Sequence, residues 1–98
     1  MIRITQHTQT NRQTILQIEG DLVGPAVAIL AREGWLRLRA GSVLVLDLSG
    51  LQIIDEAGVA LLQDWAEPVL RLQGASRSIQ LLLEGHGLAV EEGGKPPY

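Results

Sequence analysis

Apolar and polar residues alternate along Ile2-Arg3-Ile4-Thr5-Gln6, and again along Thr14-Ile15-Leu16-Gln17-Ile18-Glu19 apart from one doubled apolar pair. A period of two belongs to a strand with one buried face, so both segments are read as strands, and the polar stretch His7 to Arg12 joins them as a hairpin. Gly20 is expected to end the second strand. Gly24-Pro25 then opens a helix, because proline at the first helical position loses no hydrogen bond and has its φ already set. This helix should run from Pro25 to about Arg39. Val27, Leu30, Ala31 and Leu38 form its buried stripe, Arg32, Glu33 and Arg37 face water, and Gly41 supplies the stop.

Val43-Leu44-Val45-Leu46 is apolar at every position, which predicts a central strand covered on both faces and ended by Asp47. After the connection Leu48 to Ile54, Asp55 is placed to cap a second helix by accepting hydrogen bonds from its first free amides. Gly58, Leu62, Trp65, Val69 and Leu72 recur at helical spacing, with Leu61 and Ala66 widening the stripe, and Pro68 predicts a kink or break close to Glu67. Ser78 to Leu83 is read as a last strand after the turn-like Gln73 to Arg77. The order becomes β-β-α-β-α-β. Right-handed crossovers then make it an α/β fold, a small mixed sheet with helices packed on it. Leu88 to Glu92 is read as a short turn and Gly93 to Tyr98 as a loose tail, so residues 84–98 are expected to be partly irregular.

Length and composition narrow this further. At 98 residues, 46% of them apolar, the chain makes one domain, 1–98, with enough material for a core. Without cysteine there is no disulfide framework, thiolate zinc site or cysteine nucleophile. No apolar stretch approaches the roughly 18 residues of a membrane span, and the amino terminus lacks the features of a secretory signal, so a cytoplasmic protein is expected. A net charge of −3 without a basic block, together with no Phe, one Tyr and two Trp, argues against nucleic acid as a partner.

Asp47, Asp55 and Glu56 are the carboxylates to weigh for acid-base chemistry or magnesium, since they follow a buried strand. Helix capping and turn formation already account for the aspartates, and no histidine is near them in sequence. His7 and His86 fall in predicted loops and are given no role. Gly20-x-x-x-Gly24-Pro25 and Ser49-Gly50 match neither glycine pattern that surrounds a phosphate with amides, so turn chemistry is the simpler account. No metal, cofactor or catalytic residue is expected. Gly58 is read as a close-packing position and Trp65 as core, while Trp35 is open between core and interface.

The stretch Val45-Leu46-Asp47-Leu48-Ser49-Gly50-Leu51-Gln52-Ile53-Ile54-Asp55-Glu56-Ala57-Gly58-Val59-Ala60-Leu61-Leu62 resembles the signature segment of STAS domains, the family of the anti-sigma factor antagonists. There a buried strand ends in an Asp-Leu-Ser-Gly-like turn, and an apolar pair leads into Asp-Ser-Ser-Gly at a helix start. Glu19-Gly20-Asp21-Leu22 before the first helix agrees as well, so the resemblance runs from the amino terminus to about Leu83. It implies a bacterial source and a switch, in which an anti-sigma kinase phosphorylates the second serine and the unphosphorylated form binds that kinase. A phosphate adds about −1.5 to −2 charges where helix amides and dipole favour an anion. Here Ala57 stands at that serine and has no oxygen to phosphorylate. Glu56 matches the first serine and puts a permanent carboxylate in the first turn, to be read either as a phosphate mimic or as an ordinary helix former. Switch-type members often read Gly-Glu-Leu-Asp before the first helix, where this chain reads Gly20-Asp21-Leu22-Val23. Family members usually add a helix, and often a strand, after the segment matching Ser78 to Leu83. The residues from Glu84 are short of room for both, which leaves an edge or groove for a partner or a second copy of the chain.

The resulting expectation is a non-catalytic protein-binding module without a serine switch. Its surface is expected at Asp21, Leu22, Val23 and Gly24 together with Ile54, Asp55, Glu56, Ala57, Gly58 and Val59. The partner classes that the resemblance implies are an anti-sigma factor, another signalling protein, or the ATPase of a lipid transporter. A sensor of a small ligand or nucleotide at the same helix start is the alternative, and an enzyme ranks third. Were a phosphate switch kept on another residue, Ser49 is the nearest hydroxyl.

Overall fold

The computed structural model describes residues 2–9, 13–39, 41, 43–65 and 70–91. Strands β1 (Ile2–Gln9) and β2 (Gln13–Leu22) are followed by α1 (Pro25–Arg39), β3 (Val43–Ile54) and α2 (Glu56–Trp65). Then come β4 (Leu70–Gln73), α3 (Arg77–Gly85) and β5 (Val90–Glu91). The five strands lie side by side in chain order. β1 runs antiparallel to β2, and every later pairing is parallel. The expected hairpin and the expected span of α1 are both present, and the whole is an α/β fold.

Each parallel step moves the same way across the sheet, so right-handed crossovers put all three helices on one face. Burial agrees. Leu16 and Ile18 of β2 and Leu44, Leu46 and Leu48 of β3 share one core with Leu30 of α1, Leu62 and Trp65 of α2, and Ile79 and Leu83 of α3. Val45 is buried too but stands outside that core, next in register to Ile15 and Arg71. The central strand is thus covered by helices on one side only. α1 and α2 cross closely where Gly34 meets the indole of Trp65. A Cβ on Gly34 would lie 2.3 Å from the ring. Trp35, half exposed, packs edge-on against the same indole, with ring centroids 6.0 Å apart.

Several expectations are corrected. Gly20 does not end β2. Its φ of 97° and the register shift beside it let the strand bend and continue to Leu22. Asp47 does not end β3, because pairing with β2 carries the strand through Ser49-Gly50 to Ile54. Leu72 belongs to β4, where Leu70 and Leu72 alternate inward with Arg71 outward, rather than to the stripe of α2. Ser78 to Leu83 is helical. Ser76 accepts a hydrogen bond from the amide of Ile79, and Ile79 and Leu83, four apart, are the buried pair of α3. The segment read as the last strand is therefore the added helix, and β5 follows where a turn was expected. The break near Glu67 and Pro68, the stripe residues Ala66 and Val69, and the tail Gly93 to Tyr98 lie outside the described residues. No described helix is long and apolar enough to cross a membrane.

Candidate functional site

The carboxyl ends of β2 and β3 lie side by side, with Asp21 opposite Ile53 and Leu22 opposite Ile54. Each leads into a helix, so the starts of α1 and α2 emerge next to one another. Asp55 joins them. Its Oδ1 accepts a hydrogen bond from the amide of Gly58 at 2.9 Å, which caps α2, and its Oδ2 accepts one from the amide of Gly24 at 2.9 Å, ahead of α1. Its own amide donates back to the carbonyl of Leu22 at 3.3 Å. These backbone donors, Gly24 foremost and then Gly58, hold the Asp55 carboxyl below the ordinary aspartate range. The carboxylate thus ties two segments together.

Gly58 is the close-packing position that the sequence suggested. A Cβ there would lie 2.7 Å from Cγ1 of Ile54 and 2.9 Å from the carbonyl oxygen of Leu22. Any side chain would push α2 off the end of β2, so this start can sit tightly against the sheet only with glycine in its first turn.

Of the ten residues expected to form the surface, Gly24, Glu56 and Ala57 are exposed, and Asp21, Val23, Ile54 and Asp55 are half-buried. Leu22, Gly58 and Val59 lie beneath. Those three can shape the surface from below but cannot touch a partner. Sequence reasoning missed Ile53, which is 53% exposed beside Asp21. The signal was there in the pair Ile53-Ile54, since adjacent strand residues point to opposite faces and one of the two had to face out.

The remaining candidates are dispersed. Asp47 accepts a hydrogen bond from the amide of Ser49, and both lie beside Gly74 at the end of β4. Asp47 and Ser49 therefore belong to a different corner from Asp55 and Glu56. Among the described residues, no three His, Cys, Asp or Glu side chains gather in a way that could hold a metal ion. His7 lies on β1 and reaches Gln17, while His86 closes α3 and offers its carbonyl to Gln63 of α2 at 3.0 Å.

The chain matches the family model of the STAS domain over residues 2–92. Its fold is similar to that of a solved structure of the anti-sigma factor antagonist SpoIIAA in its unphosphorylated form, with a TM-score of 0.80. The sequences are 14% identical, and the match covers 95% of this chain and 90% of the other. No curated protein matches by sequence.

Proposed function

This chain belongs to the STAS domain family, and we propose that it is a non-catalytic module that binds a protein partner through the paired helix starts, without a serine switch. The observation that carries this reading is the exposed Ala57 in the first turn of α2, on a start already fixed by the tie between Asp55 and Gly24. A methyl group there offers nothing to phosphorylate. The patch it belongs to combines an apolar part, Ile53 and Ala57, with the exposed carboxylate of Glu56 and the half-buried ones of Asp21 and Asp55. Such a preset patch supports constitutive docking, because less ordering has to be done on binding. Glu56 supplies the fixed negative charge, and the partner surface should be basic. The partner classes are an anti-sigma factor, another signalling protein, or the ATPase of a transporter.

The test is copurification of the tagged chain from its native cells, followed by measurement of direct binding to the recovered protein. Glu56→Lys should weaken that binding at least tenfold while lowering the melting temperature by only a few degrees, since a charge in the first helical turn is worth about 0.3–1 kcal/mol. Intact mass after incubation with the partner and ATP should show no added phosphate. Binding undiminished by Glu56→Lys, or a phosphate on Ser49, would overturn the reading. Stabilisation by nucleotides or phosphate with no protein recovered would favour the sensor instead.

A further inference from the structure

α1 and α2 lie side by side and run the same way, because each follows one of two parallel strands and leads back to the next. Their starts are level, tied by the bond from Gly24 to Asp55. They stay level further along, since Gly34, nine residues after Pro25, meets the indole of Trp65, nine residues after Glu56. The outer surface of this helix pair is divided by charge. α1 presents Ala28, Arg32, Trp35 and Leu36, and α2 presents Ala60 and Asp64, all of them exposed.

Trp35 marks the seam between the two helices, because it packs edge-on against Trp65 of α2. It is nevertheless 48% exposed, and Leu36 beside it is 53% exposed. An aromatic left half in water on an otherwise packed face has more to gain from burial than its neighbours. Arg32 stands seven residues after Pro25 and Asp64 eight after Glu56, so at about 1.5 Å per residue they lie at nearly the same height, one on each helix. Among the described residues the ion pairs are Arg37 with Glu33 and Arg71 with Glu91, and Arg32 and Asp64 take part in neither.

We propose that this face binds a second copy of the chain. A cation on one helix, an anion level with it on the next and a tryptophan at the seam between them make a surface that complements itself. Two such faces related by a two-fold axis along the seam set Arg32 of each copy against Asp64 of the other, with the two Trp35 side chains meeting at the axis. Ala28 and Ala60 are small enough to let the faces approach, and the aromatic centre with a charged rim is the composition of an interface. A partner surface of one sign would satisfy Arg32 or Asp64 and repel the other, whereas a second copy satisfies both. The proposal does not rest on the partner-binding reading, since its centre lies about 15 Å along α1 from the helix starts.

Sedimentation equilibrium of the full chain over a concentration series tests it. The wild type should pass from monomer to dimer with a dissociation constant on the order of 10 µM, as befits a small interface. Arg32→Asp and Asp64→Arg should each weaken the dimer at least tenfold, because the two-fold axis makes every substitution act twice. Both positions are exposed, so both variants should keep the wild-type circular dichroism. Mixed in equal amounts, the two variants should associate about as tightly as the wild type, since each then meets the opposite charge at both positions. Trp35→Ala should also weaken the dimer at least tenfold. A wild type still monomeric at about 300 µM, a dimer that both charge variants leave intact, or a mixture that stays monomeric would each overturn the proposal.

Discussion

Two helices of this domain begin with the same local device and use it for different ends. Asp55 caps α2 by accepting from Gly58, and Ser76 caps α3 by accepting from Ile79, each reaching the amide three residues on. At α2 that third residue is a glycine beneath which the carbonyl of Leu22 passes. At α3 it is a buried isoleucine that fastens the helix to the core. The α2 bond is 2.9 Å long and its carboxylate also holds Gly24, whereas the Ser76 bond is 3.4 Å. Capping chemistry alone therefore does not mark a functional helix start. What distinguishes α2 is that its cap reaches a second segment and that its first turn is stripped to allow close approach.

Opposite changes at the matching third positions break this comparison most strongly. Ile79→Ala should cost about 3 kcal/mol in urea unfolding, because it empties a buried site. Gly58→Ala should cost about 1–2 kcal/mol although alanine is the better helix former, since the added methyl meets a backbone oxygen. A gain in stability at Gly58 would show that α2 does not need this approach.

The caps come next, and pH separates them. The Asp55 carboxyl titrates lower in the folded chain than an ordinary aspartate, because backbone amides donate to it. Its contribution is then complete above the pH at which an ordinary aspartate titrates and is lost as pH falls through the lower folded value. Asp55→Asn keeps an acceptor oxygen but no charge. The stability difference between wild type and Asp55→Asn should be constant at neutral pH and shrink below about pH 4. A difference unchanged down to pH 2 would mean that the charge contributes nothing. Ser76→Ala should have the smallest effect, about 0.5–1 kcal/mol, and no dependence on pH in this window.

Much of the first half of the molecule was legible in its sequence because its signals are long and agree with one another. The alternation in Ile2 to Gln6 and Thr14 to Glu19, and the helix opened by Gly24-Pro25, each combine periodicity with a recognisable boundary. The second half failed where two periods compete. Trp65, Val69 and Leu72 continue a helical spacing across Pro68, and a strand as short as Leu70–Gln73 has too few residues to outweigh it. In Ser78 to Leu83 three consecutive leucines hide the four-residue spacing of Ile79 and Leu83, and the cap at Ser76 was the clue to favour. At the candidate site, Asp55 as a cap follows from its place before the helix. Its bond to Gly24, 31 residues away, depends on two parallel strands ending level, which no local pattern encodes.

The strand order carries a last consequence, for how the chain is made. Because the sheet grows strictly from β1 to β5, each strand emerging from a ribosome finds its only earlier neighbour already in place. No strand has to wait for a later one to be inserted between it and its predecessor. The paired helix starts are complete once α2 has been synthesised, so during synthesis the docking patch can take shape before β4, α3 and β5 exist to close the core beneath it.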